Sequence, residues 1–185
     1  VKLYLHRRLW PPLLAFLLIA LSWIVRTVPF TRFLSLFLGF LIGSFILDTD
    51  HFLYWLVINP SLDDSRQIKE AISQKKISTV IKIFRSSSGH QTSLIFHHYF
   101  FQTVLCLISI FIFTSSGNSF AMAALIAANL HLLSDETADF VNNPRRLQHW
   151  LFAREVKQLS QKSLKYYLLF FYLATALMVL LLSKA

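Results

Sequence analysis

Three short stretches of this chain put metal-ligating side chains into otherwise apolar sequence. LDTDHFLYWL (47–56) holds Asp48, Asp50 and His51, LIFHHYFF (94–101) holds His97 and His98, and ANLHLLSDETAD (128–139) holds His131, Asp135, Glu136 and Asp139. Ionisable groups in apolar surroundings are expensive, and by default they mark a functional site. Imidazole nitrogen and carboxylate oxygen together form a donor set suited to Zn²⁺, Mn²⁺ or Fe²⁺. A bound cation also neutralises buried carboxylates in place. The donors present suffice for one or two divalent ions.

Spacing then sorts the candidates. His131 and Asp135 stand at i and i+4, one above the other on a helix face, so they can share an ion, and Asp139 continues that face. Asp48 and His51, three apart, also share a face. Asp50 falls on a different face of a regular helix, which predicts either a supporting partner or a break in the helix. As an unligated carboxylate it is also the candidate general base. His97 and His98 are about 100° apart on a helical wheel, so one of the two reaches the cluster.

The elements that position these groups are read from the apolar runs. Of the 185 residues, 55% are hydrophobic and the mean hydropathy is +0.54, which sets the chain apart from small soluble domains. A bilayer core of roughly 30 Å takes about 20 apolar helical residues per crossing. On that measure there are five spans, at about 11–28, 33–58, 93–113, 119–141 and 164–182. The fold class is therefore predicted as all-α, a multi-pass transmembrane helix bundle forming one integral membrane domain over residues 1–185. Pro11 and Pro12 suit the start of the first helix, where a missing N–H costs nothing. This first run is read as an uncleaved helix, because no small-residue cleavage site follows it. TSSGNS (114–119) makes spans three and four an antiparallel hairpin. Residues 62–86 form a cytoplasmic amphipathic segment with Ile68, Ile72, Ile77, Val80, Ile81 and Phe84 as its apolar positions. The lone cysteine, Cys106, can make no disulfide within the chain.

The net charge of +9 comes from 18 Lys and Arg against 9 Asp and Glu. The basic residues gather between the apolar runs: Lys2, Arg7 and Arg8; then Arg66, Lys69, Lys75, Lys76, Lys82 and Arg85; then Arg145, Arg146, Arg154, Lys157, Lys162 and Lys165. The alternate connections carry only Arg26, Arg32 and Lys184. The positive-inside rule then puts the N-terminus inside and the C-terminus outside. This pattern suits anionic headgroups and leaves no basic surplus for nucleic acid, which is not expected as a partner. With that topology, Asp48, Asp50, His51, His97, His98, His131 and Asp135 fall at one depth near the cytoplasmic face.

The same stretches resemble a known family. GSFILDTDH (43–51) resembles the G-x-x-x-P-D-x-D-H segment of the membrane-bound metal-dependent hydrolase-like proteins of bacteria. LIFHHYFF resembles their His-Ser segment, and ANLHLLSDETAD resembles their G-x-x-x-H-x-x-x-D segment, in the same order over residues 43–139. The resemblance implies a multi-pass protein of the inner membrane. It also implies a site made by Asp48, Asp50, His51, His97 or His98, His131 and Asp135. Leu47 stands where the family has proline, which predicts a less broken helix around Asp48. Tyr99 follows the histidine pair where a small hydroxyl residue often follows the family's histidine.

Two functions fit these residues. One is a metal-dependent hydrolase, in which a divalent ion activates water and polarises a phosphoryl or ester oxygen. A site at headgroup depth suits a lipid-like substrate. The other is a non-enzymatic carrier of metal or protons, or a scaffold held by a buried ion. Polar residues collected at one depth, with no trail across the bilayer, favour the hydrolase. His6, His90 and His149 lie in basic polar segments and are expected to be solvated or to face headgroups. RRLQHWLF (145–152) reads as an interfacial anchor. Thr92 and Ser93 form no nucleophile elbow, and no glycine-rich phosphate loop exists.

Overall fold

The computed structural model describes the backbone of residues 2–87, 94–153 and 159–185, and the side chains of these except 2–8 and 85–87. His90, Thr92, Ser93 and the side chains of His6 and Arg85 lie outside the described residues, as do Arg154 and Lys157. The described chain is helical, with no strand among the described residues.

Helix α7 (Ser119–Asn142) is the element around which the others pack. Its middle is buried almost all the way round, from Met122 to Leu133, as a helix that is apolar on every face must be. Alanines at 121, 123, 124, 127 and 128 keep it slim, so neighbours approach closely. The Asn118 side chain starts it by accepting from the Phe120 and Ala121 amides at 3.0 and 3.1 Å. Helix α2 (Phe30–Ile46) makes the most intimate contact, through Gly39 and Gly43. A Cβ at Gly43 would stand 2.2 Å from the Ala124 carbonyl oxygen. Helices α1 (Lys2–Val25) and α9 (Gln161–Lys184) complete the main core, with Ile19, Trp23, Leu36, Ile126, Leu133 and Leu182 fully enclosed. They are also joined at their ends, where the Trp23 indole donates to the Leu182 carbonyl at 2.9 Å. Helix α6 (Tyr99–Ser115) lies along α7 through Leu105, Cys106 and Ser109.

Among the described residues, two helical stretches are long and apolar enough to cross a membrane, Phe30–Ile58 and Gln161–Lys184. Leu9–Val25 and Tyr99–Ser115 are apolar but shorter. The outward faces are themselves apolar, with Leu18, Leu21, Phe37, Phe45, Phe111 and Leu173 all exposed.

The boundaries differ from the sequence expectation at α6, which starts at Tyr99 and not near residue 93, and in three further places. Helix α1 runs from Lys2 through Pro11 and Pro12 instead of starting at them. Proline's φ suits a helix, and the cost is the two absent amide donors together with the crowding of each ring against the carbonyl four residues back. The second apolar run is broken despite Leu47. After α2 come a five-residue helix α3 (Thr49–Leu53) and a π-helical turn (Tyr54–Ile58). At the break the amides of Asp48, Asp50 and His51 bond three residues back, to Phe45, Leu47 and Asp48, at 3.0–3.2 Å. A short hydroxyl side chain competes for backbone groups there, the Thr49 hydroxyl taking the Ile46 carbonyl at 2.6 Å. Thirdly, residues 62–86 are not one helix but two, α4 (Asp63–Ser73) and α5 (Ile77–Ser87), reversing at Lys75, whose φ is 56°. Ile68 and Ile83 bury against Trp55, with Phe52 and Phe84 alongside, while Ile72, Ile77 and Ile81 stay exposed. The hairpin therefore sits on α3 and the π turn.

Candidate metal centre

Two carboxylates and two histidines meet where the α2–α3 break, the turn before α6 and the last turns of α7 come together. The break supplies the first orienting group. A regular helix would give the Ser44 carbonyl to the Asp48 amide. Asp48 bonds Phe45 instead, and the Ser44 carbonyl accepts the Nδ1–H of His131 at 2.7 Å. A carbonyl only accepts, so Nδ1 carries the proton and Nε2 of the neutral ring is the acceptor. That Nε2 stands 3.4 Å from Asp135 Oδ2 and 3.9 Å from Asp48 Oδ1.

Asp50 supplies the second. It is fully buried, and its two oxygens accept the Ile95 amide at 3.1 Å and the Phe96 amide at 2.6 Å. The same carboxylate stands 3.3 Å from His97 Nδ1. Asp50 therefore shapes the turn that carries His97 and turns its Nε2 towards Asp135 Oδ2, at 3.6 Å. Histidines that bind metals characteristically hold their other nitrogen to a carboxylate or carbonyl, and both imidazoles here do so.

The donor atoms of His97, His131 and Asp135 lie within 4.8 Å of one another. Two imidazole Nε2 atoms and a carboxylate oxygen converge on one point, an arrangement that a cation held between them would satisfy. With metal–ligand bonds of about 2.0–2.1 Å, a tetrahedral site has donor–donor edges of about 3.4 Å. The 3.4 and 3.6 Å separations to Asp135 match that edge. These residues fit a divalent ion. The histidines are buried, whereas Asp48 and Asp135 are 19% and 15% exposed in their side chains, so the group opens on its carboxylate side.

The remaining sequence candidates are placed differently. Asp48 stands at the rim, near His131 but outside the three-residue group. Asp50 orients His97 and does not join it. His51 is buried beside the group, its ring edge-on to Phe84 at 4.9 Å and 5.5 Å from the ring of His97. Of the adjacent pair, His97 faces the group, while His98 caps α6 by accepting the Phe100 amide at 3.3 Å. Asp139 is drawn off to helix α8 (Pro144–Leu151), where it accepts the Trp150 indole at 2.8 Å and pairs with Arg146 at 3.2 Å. Trp150 is thus turned into the protein and not towards a membrane surface, where the sequence reading of 145–152 puts it. Trp150 is buried, edge-on to His97 at 6.1 Å, and walls the site. His149 is exposed, as expected.

Sequence reasoning gave Glu136 no part. It is fully buried and accepts from Gln102 at 3.2 Å, and Gln102 in turn accepts from the Tyr167 hydroxyl. Its expense in an apolar run was the available signal.

Removing an orienting partner typically weakens metal binding 10–100-fold. Asp50→Ala is therefore expected to raise the Kd for Zn²⁺ about 30-fold, measured by competition with a chromophoric chelator. An unchanged Kd would mean that the 95–97 turn holds His97 without help from Asp50.

No family model matches the chain, and no curated protein or solved structure matches it.

Proposed function

We propose that this chain is a multi-pass membrane protein that holds one divalent ion, Zn²⁺, Mn²⁺ or Fe²⁺, on His97, His131 and Asp135. We further propose that it hydrolyses a phosphoester or ester of a lipid-like molecule at the cytoplasmic face of the inner membrane. The observation that carries the reading is the pair of imidazoles, each with Nδ1 held by a buried oxygen, whose Nε2 atoms converge on one carboxylate. Two histidines and a carboxylate with one side open is the ligand pattern of hydrolytic metal sites. The apolar outer surface and the two long apolar stretches support membrane residence, with five spans, N-terminus inside and C-terminus outside.

A divalent ion bound there supplies Lewis acidity towards a phosphoryl or acyl oxygen and makes water acidic enough to attack near neutral pH. The chain's own residues do the rest. Asp50, with both oxygens committed to the 95–97 turn, is a positioning residue, so the base role read from sequence passes to Asp48. Asp48 is partly exposed at the open rim and is placed to take a proton from the attacking water. Trp150, Phe84 and Trp55 keep bulk water from the buried side.

The test is elemental analysis of the detergent-purified protein, followed by a screen of phosphoesters and lipid esters. Wild type is expected to carry about one ion per chain, as a site with three protein ligands and one open position does. Asp48→Asn is expected to keep the ion and lose about 10²–10³-fold in hydrolysis. Folded wild type that takes up none of Zn²⁺, Mn²⁺ or Fe²⁺ would sink the proposal. A loaded protein that hydrolyses nothing would leave an ion-held scaffold or carrier.

A further inference from the structure

Glu136 is a fully buried carboxyl among the described residues that the site does not use. It is fully enclosed between α6, α7 and α9, with one hydrogen bond from the neutral amide of Gln102 to Oε2. Its other oxygen, Oε1, is enclosed as well and has no hydrogen-bond partner among the described residues. A buried carboxylate served this sparingly is a poor stabiliser, and an apolar side chain of the same volume commonly serves a core as well or better. Its position suggests another task. Glu136 follows Asp135 directly in the chain. Gln102 lies in the first turn of α6, its main-chain N–H bonding the His98 carbonyl at 3.2 Å, just after His97. Tyr167 closes the chain from α9 through Gln102 Oε1.

Resting on the metal-centre reading above, we infer that Glu136, Gln102 and Tyr167 form a three-helix clasp that holds His97 at ligand distance from Asp135. His97 stands before α6, and Asp50 fixes only the turn that carries it. The separation between α6 and α7 at this level decides whether His97 Nε2 lies 3.6 Å from Asp135 Oδ2 or further. The Gln102–Glu136 bond is the polar tie between those two helices at that level. A second tie on the same seam, Asn129 to Ser109 at 3.2 Å, lies about two turns further from His97. It supplies a matched control.

The experiment measures Zn²⁺ affinity by chelator competition, the visible spectrum of the Co²⁺-loaded protein and the thermal midpoint, on full-length protein. Glu136→Gln keeps an acceptor for the Gln102 amide and is expected to bind within threefold of wild type with an unchanged Co²⁺ spectrum. Glu136→Leu is expected to bind at least tenfold more weakly, with a shifted spectrum, at a thermal midpoint close to wild type. Tyr167→Phe, which removes one hydroxyl and keeps the core filled, is expected to lose about fivefold and stands in if the leucine variant does not fold. Ser109→Ala is expected to leave affinity unchanged. Glu136→Leu and Tyr167→Phe both binding like wild type would overturn the clasp. So would Glu136→Gln losing as much as Glu136→Leu, because charge and not the tie would then be the operative feature. Wild type without metal would instead overturn the metal-centre reading itself, so the two failures are distinct.

Discussion

Alanine at position 131 is expected to leave the purified protein without its ion. A structural zinc site is worth about 10–16 kcal/mol over about four ligands, or about 3 kcal/mol for each. Losing one ligand is therefore a change in Kd of about two orders of magnitude. At His131 the loss is compounded. The ring also satisfies the buried Ser44 carbonyl, and an acceptor left unpaired costs about 1–3 kcal/mol more in stability. Both Asp135 and Asp48 lose the group they face. The measurement is metal content after dialysis against a weak chelator, with helicity followed by circular dichroism on the same sample. A folded His131→Ala protein that keeps a stoichiometric ion would place the ion elsewhere in the molecule.

The second large effect comes from a residue that is not a ligand but directly precedes Ser44, whose carbonyl orients His131. Gly43→Val is expected to prevent the native fold. Its Cβ would meet the Ala124 carbonyl oxygen at 2.2 Å and the Ala124 Cα at 2.9 Å. Side-chain overpacking typically costs about 1–3 kcal/mol because neighbours shift rotamers. Here the obstacle is backbone, so α2 and α7 must part along their whole contact, and the expected cost exceeds about 3 kcal/mol. Parting them also carries the Ser44 carbonyl away from His131, so surviving protein should bind metal poorly. Gly117→Ala is the control, since nothing lies within 4 Å of a Cβ there. Cys106 supplies the readout, because it is buried, is the only cysteine in the chain and becomes open to a thiol-reactive dye only on unfolding. A Gly43→Val protein that labels no faster than wild type on heating would refute the close-packing argument.

Much of the helical layout was legible because apolar runs and turn residues punctuate the chain plainly. TSSGNS separates α6 from α7 as read, and the i, i+4 spacing of His131 and Asp135 does place both side chains at one point. What the sequence could not show are events decided by tertiary contact. The break after Ile46 needed no proline, because the Thr49 hydroxyl took the Ile46 carbonyl and the amides of Asp48, Asp50 and His51 turned to partners three residues back. The part played by Asp50 depended on where residues 95–97 fold, some forty-five positions away along the chain. The choice between His97 and His98 was set by the start of α6, a boundary that helical wheels drawn from residue 93 misplace. Trp150 looked like a membrane-surface residue because its indole partner, Asp139, belongs to another helix. The split of 62–86 turned on Lys75 alone entering the left-handed region, which side-chain periodicity does not register.

The bond between Ser44 and His131 has a consequence for how this centre can vary. What fixes the tautomer is a main-chain oxygen, so no particular side chain is required at position 44, only one small enough for its enclosed place beside α7. Alanine or cysteine there would serve the imidazole as well as serine does. A mutational scan at position 44 would thus report volume and be silent about chemistry. The residue that holds one of the two histidines in register would pass for filler in any comparison based on side-chain identity. Its role is encoded by the tightened turn at 45–51, and it is the sequence of that turn, more than Ser44 itself, that has to be kept for His131 to point the right way.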